Sequence, residues 1–175
     1  MIRALFAGTF DPIHLGHVDI ATRAARLFDE VVVAVYDKPL KSELFPFEDR
    51  LRLVREALDG ESKFRIMGFS GLIVEFCRAV GAQVMVRGLR VFSDFEYEFR
   101  MALANHRLDP GIEVMALITS EAHTFISSTT VKEIAMLGGN VSSLVPPNVV
   151  QALKARFLEL GDSHRDVLPM ISLRD

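Results

Sequence analysis

The stretch Gly8-Thr9-Phe10-Asp11-Pro12-Ile13-His14-Leu15-Gly16-His17 constrains this chain more than any other. Apolar residues suited to a buried strand, Ile2 to Ala7, precede it, and a helical pattern of Ile20, Ala21, Ala24, Leu27 and Phe28 follows it. The decapeptide is therefore a strand-to-helix turn, where unpaired backbone N–H groups and the positive end of the helix dipole attract phosphate. Gly8 and Gly16 would let backbone approach a ligand closely. His14 and His17, three positions apart, would turn two imidazoles toward one anion. The spacing is neither GxGxxG nor GxxxxGK[ST], which argues against a dehydrogenase-type dinucleotide site and a Walker loop. What remains is the short motif HxGH.

A chain of 175 residues, half of them hydrophobic, can fill one core. We expect a single domain over residues 1–160 and a tail, 161–175, without an assigned role. The net charge is −3 and the basic residues are dispersed, so there is no electrostatic footprint for nucleic acid. A small anionic ligand needs only local positive charge. No signal-like segment or membrane-length apolar run is visible, which points to a cytoplasmic protein away from membranes. Cys77 sits among Leu72, Ile73, Phe76 and Val80 at helical spacing and reads as a core residue.

After the first helix, Glu30 to Tyr36 reads as a buried strand, and the loop Asp37 to Phe45 places Lys38 and Lys41 at its carboxyl end. Phe47 to Leu58 is an amphipathic helix, Lys63 to Phe69 a strand, Leu72 to Val80 a helix closed by Gly81, and Ala82 to Val86 a fourth strand. Arg87-Gly88-Leu89-Arg90 then falls just beyond that strand, where two arginines suit a bidentate phosphate clamp or, more plainly, a surface ion pair. Ser93 to Arg107 is a helix whose Phe95 and Phe99 read as packing, and Ile112 to Ile118 a fifth strand. In Ile126-Ser127-Ser128-Thr129-Thr130-Val131-Lys132-Glu133, four hydroxyls meet a helix start, with Thr130 and Glu133 as a capping box. Pro146-Pro147 opens a last helix. Strand and helix alternate five times, so the expected fold is α/β: a Rossmann-like, doubly wound, five-stranded parallel sheet of order 3-2-1-4-5 with C-terminal helices. Strands one and four then meet at the topological switch point, which puts His17 and Arg87 at one crevice.

With GTFDPIHLGH, VRGLR, DFEYE (Asp94 to Glu98) and ISSTTVKE in place, residues 2–160 resemble the bacterial phosphopantetheine adenylyltransferase family. The resemblance implies transfer of the adenylyl group of ATP to 4′-phosphopantetheine, giving dephospho-coenzyme A and pyrophosphate by direct in-line displacement without a covalent intermediate. It also implies Mg²⁺ held mainly through the ATP phosphates rather than by a metal-ligand cluster, a homo-oligomer of hexameric type, and coenzyme A as a candidate inhibitor. Motif by motif, it makes His17 the catalytic residue that stabilises the transition state. Thr9, Lys41, Ile73 and Arg87 become phosphopantetheine contacts. Thr9, Phe10, His14, His17, Gly88, Leu89, Arg90, Glu98 and the run His123, Thr124, Phe125, Ile126, Ser127, Ser128 and Thr129 fall on ATP positions.

Two departures from the family pattern bear on substrate choice. His123 stands where a large aromatic usually lies near the adenine, and HLGH is also frequent in nicotinate-nucleotide adenylyltransferases, so that activity or another small-acceptor transfer is the alternative. A nucleotide sensor that binds ATP without turnover is the non-enzymatic alternative; intact His17, Lys41, Arg87 and Arg90 argue against it.

Overall fold

The computed structural model describes residues 1–38 and 43–161. Lys41 and the tail from residue 162 onward lie outside the described residues. Five strands form one parallel sheet: β1 (Arg3–Gly8), β2 (Glu30–Tyr36), β3 (Phe64–Phe69), β4 (Val84–Leu89) and β5 (Glu113–Ile118), in the order β3-β2-β1-β4-β5. The connecting helices are α1 (Leu15–Leu27), α2 (Phe47–Ala57), α3 (Ile73–Val80) and α4 (Phe92–Leu108), followed by α5 (Ser128–Met136) and α6 (Pro147–Leu160). The expected fold class and strand order are those observed.

The valine run of β2 is buried on both faces because helices cover both sides, as a parallel sheet requires. Alternation divides the core. Ala4, Phe6, Val31, Val33 and Val35 pack on one face with α1, α2, α5 and α6, while Leu5, Ala7, Val32, Ala34 and Met85 pack on the other with Val74, Cys77 and Val80 of α3. Cys77 is buried there, and burial together with Asp109 pushes its thiol up to about 11, as befits an inert core residue.

Three sequence expectations need correction. The fourth strand runs to Leu89, so Arg87, Gly88 and Leu89 belong to the sheet rather than to a loop beyond it. The cap of α5 is Ser127, whose hydroxyl accepts from the Thr130 amide at 3.0 Å, in place of a Thr130–Glu133 box. Phe95 and Phe99 do not pack into this chain's core. None of the α4 residues is buried; the two rings stack on each other at 5.8 Å with about half of each exposed, beside an exposed β5.

The feature that positions the site is a divergence at the sheet centre. β1 pairs with β2 over its whole length but with β4 only at Ala4–Val84 and Leu5–Met85. Beyond those positions the carboxyl halves of β1 and β4 part, at the reversal of strand order where open α/β sheets bind ligands.

Candidate active site

Between the parted strands lies a cavity of about 270 Å³, lined by Gly8, Phe10, His14, Gly16 and His17 from the first turn, Arg87, Gly88 and Arg90 from β4 and beyond, Asp94 and Glu98 from α4, and Ser127 and Ser128 at the start of α5. Two helices, α1 and α5, thus direct their N-termini into one cleft. Both dipoles favour negative charge there.

The HxGH residues build a reciprocal cap. His14 is the N-cap of α1 in extended conformation, not a helical residue. Its Nδ1 accepts from the His17 amide and the His17 Nδ1 accepts from the His14 amide, each at 3.3 Å. An Nδ1 that accepts carries no proton, so both rings are Nε2–H tautomers. The rings stack at 3.6 Å, 22° from parallel. Gly16 makes this possible, since a Cβ there would stand 3.1 Å from the His14 ring, and a Cβ at Gly8 would stand 3.2 Å from the Phe10 ring. Their first duty is to pack the turn against itself, rather than to bare backbone for a ligand.

Burial and then the cationic Arg90, with His123 adding, lower the pKa of His14 to about 3; burial, His14, Arg90 and Arg87 hold His17 well below its ordinary value. Both imidazoles are neutral near pH 7, and each offers one N–H donor. Phe10 lies edge-on to His17 at 5.0 Å and to Phe6 at 5.6 Å, fixing the ring. Phe10 itself has φ of 51°, a left-handed conformation uncommon outside glycine and asparagine.

The two arginines are not a free phosphate clamp. Arg87 forks onto Glu98 at 2.7 and 2.8 Å and donates to the Ala7 carbonyl at 2.9 Å, bridging the gap where β1 and β4 no longer pair. Arg90 forks onto Asp94 at 3.0 and 3.2 Å and donates to the Ile126 carbonyl at 2.9 Å. Burial raises the Asp94 carboxyl, but the hydrogen bonds from Arg90 outweigh it and hold it below the usual carboxylate range. Among the described residues, three of the five N–H groups of each guanidinium are engaged.

Of the other sequence candidates, Thr9, Leu89, His123, Thr124, Phe125, Ile126 and Thr129 do not line this cavity. Ile126 turns its side chain into the core and presents its carbonyl to Arg90, while Phe125 is exposed. Among the described residues, the His123 Nδ1 is buried without a hydrogen-bond partner. Ile73 borders a second, smaller hollow of about 80 Å³, shared with Arg87, Tyr97, Glu98, Met101 and Asn105. The Arg87–Glu98 pair stands between the two spaces. Among the described residues, no group of three or more His, Cys, Asp or Glu side chains could hold a metal ion.

Sequence reasoning missed Asp11, Arg50 and Lys132. The Asp11 carboxylate accepts from the Leu44 and Phe45 amides and from Lys132 Nζ, each at 2.9 Å, and buried Arg50 donates to four backbone carbonyls. A signal for Arg50 was present: it lies three and four residues before Leu53 and Val54, on the apolar stripe of α2.

The cytidylyltransferase-like family profile matches residues 5–134. The phosphopantetheine adenylyltransferase of Thermomicrobium roseum is 50% identical over 161 residues, covering 90% of this chain and 96% of that protein. The chain belongs to the phosphopantetheine adenylyltransferase family. The phosphopantetheine adenylyltransferase of Roseiflexus sp. is 47% identical over 157 residues, covering 90% of this chain and 98% of its own. A Vibrio parahaemolyticus structure assigned as a nicotinate-nucleotide adenylyltransferase superposes with a TM-score of 0.68 over 88% of this chain and 99% of its own. At 21% identity that likeness speaks for the fold.

Proposed function

We propose that this chain transfers the adenylyl group of ATP to 4′-phosphopantetheine, giving dephospho-coenzyme A and pyrophosphate. The observation that carries the reading is the cleft where two helix N-termini, two neutral imidazole donors and two half-engaged arginines converge, in a chain about half identical to named phosphopantetheine adenylyltransferases. The acceptor phosphate is already a nucleophile at neutral pH, so the residues need only align it and stabilise charge. Its oxygen forms the new bond to the α-phosphorus as the bond to the pyrophosphate oxygen breaks, and no protein group becomes covalently attached.

In this reading His17 and His14 donate Nε2–H to the nucleotide phosphates while the Ser127 and Ser128 amides of α5 take a second set of oxygens. Arg87, between the two spaces, holds the acceptor phosphate, and the hollow beside Ile73 takes the pantetheine arm. Lys41 would join it from the segment after β2. The imidazole donors and the two helix N-termini favour an anion, which supports a reading in which Mg²⁺ would be carried mainly by the triphosphate. Bound in that way, Mg²⁺ neutralises phosphate charge.

The exposed aromatic face of α4 beside β5 supports self-association. The hexameric count, inhibition by coenzyme A and a cytoplasmic location rest on the family resemblance. Among the described residues no helix is long and apolar enough to cross a membrane.

The test is pyrophosphate release from ATP and Mg²⁺ by purified protein, with 4′-phosphopantetheine or nicotinate mononucleotide as acceptor. Release with phosphopantetheine alone is the expected result. Release only with the mononucleotide overturns the acceptor assignment, and silence with both leaves a nucleotide sensor.

A further inference from the structure

Two ionic groups behind the cleft converge on one short turn. Arg50 of α2 is 1% exposed, and its guanidinium donates to the carbonyls of Thr9 at 2.8 Å, Tyr36 at 2.7 Å, Phe45 at 3.1 Å and Asp37 at 3.4 Å. These carbonyls come from the turn after β1, from the end of β2 and the residue after it, and from the entry to α2. Two residues beyond Thr9, Asp11 takes the Leu44 and Phe45 amides, and its charge is met by Lys132, which reaches over from α5. Phe10, with its left-handed backbone and its ring against His17, is therefore gripped on both sides. Asp37 and Leu44-Phe45, which flank residues 38–43, are fastened to the same turn.

We propose that Arg50 and the Asp11–Lys132 pair are positioning residues for the acceptor, fastening both ends of the segment after β2 onto the turn after β1. Only a guanidinium fits the first role: four carbonyls around a plane need a fork of donors, which the three radial N–H groups of a lysine do not reproduce. Lys132 adds a link of another kind. Its helix presents Ser127 and Ser128 to the cleft, yet its ammonium acts through Asp11 on Leu44 and Phe45, on the side assigned to the acceptor. The inference rests on the acceptor reading given above, which places Lys41 in that segment.

The experiment is steady-state kinetics of Arg50→Lys, Lys132→Met and Lys132→Arg, with ATP and 4′-phosphopantetheine varied in turn, beside Kd for a non-hydrolysable ATP analogue. The expected result is a KM for phosphopantetheine raised about tenfold in Arg50→Lys and about three- to tenfold in Lys132→Met, with the analogue Kd within about twofold of wild type. Lys132→Arg should recover the acceptor KM to within about twofold, since it restores a cation beside Asp11. In hydrogen exchange, the Leu44 and Phe45 amides should lose protection in Lys132→Met. Equal effects on acceptor and nucleotide, or an unchanged acceptor KM in folded Lys132→Met, overturn the proposal, and the latter does so even where Arg50→Lys fails to fold. A wild-type protein silent with phosphopantetheine overturns the functional reading instead.

Discussion

Lowering the pH should destabilise this protein through its stacked histidine pair. His14 is 4% exposed, with a folded-state pKa of about 3 against 6.5 for the free side chain. Arg90 and His123 both disfavour its protonation, and the ring of His17 stacks against it. Above pH 6.5 both folded and unfolded chains leave this imidazole neutral. Below it the unfolded chain binds a proton that the folded chain refuses, so stability falls with pH, at about 1.4 kcal/mol per unit, until the folded pKa near 3 is reached. Between pH 7 and 5 the loss from His14 alone is about 2 kcal/mol. His17, lowered for the same reasons, adds a loss in the same direction.

The assay is urea denaturation at pH 7, 6 and 5 for wild type and His14→Asn. Asparagine can still cap α1 by accepting from the His17 amide, but does not titrate. Contributions from carboxylates cancel in the difference between the two proteins. The wild type should lose about 2 kcal/mol more than the variant between pH 7 and 5. A pH-independent difference, or a wild type that gains on the variant as acid is added, would refute the claim that His14 is held neutral.

His17→Ala removes an Nε2–H donor aimed at the cleft, and kcat should fall by about 10²–10³ if the donor acts mainly in the transition state; a near-normal rate in a folded variant removes His17 from the mechanism. Phe99→Glu places a charge in the half-exposed aromatic stack of α4. If that face is buried between copies, loss of one ring costs about 1.5–3 kcal/mol of association, and analytical ultracentrifugation should show a lower mass at micromolar protein. An unchanged mass would place the contact elsewhere.

The fold was legible in the sequence because its signals are local and repeated: a β-branched run, a helical period and a glycine stop recur in order, and the handedness of crossovers leaves few topologies. The strand end at Leu89 was not, because Arg87 and Gly88 look like loop residues until β5 supplies the neighbour that holds them in register. The aromatic face of α4 was misjudged for a related reason: apolar content predicts burial, yet Phe95 and Phe99 stand half-exposed in this chain. Residues of the cleft that speak through motifs, His14, His17, Arg87 and Ser127, could be proposed in advance, and all four line the cavity. Asp11 and Lys132 could not, since each acts on groups brought near only by folding, and Arg50 showed itself only by its place on the apolar stripe of α2.

Electrostatics at the cleft was the least legible part, because HxGH names two bases without saying which form they take. Two imidazolium ions stacked at 3.6 Å would repel, and burial beside Arg90 disfavours even one. A bound triphosphate would favour protonation, yet lifting His14 from about 3 to 7 requires about 5.4 kcal/mol of added interaction. Net positive charge is also scarce, since Glu98 and Asp94 neutralise Arg87 and Arg90. In the proposed function the cleft would therefore attract phosphate chiefly with oriented dipoles: two helix N-termini, two Nε2–H donors and the guanidinium N–H groups not engaged by Glu98 and Asp94. Such donors are fixed before the ligand arrives and need no reorganisation as charge moves from the α-phosphate toward the departing pyrophosphate. Their strength should stay constant as pH changes around neutrality, so a kcat profile without an imidazole step between pH 7 and 8 follows from the same geometry as the acid instability of the folded chain.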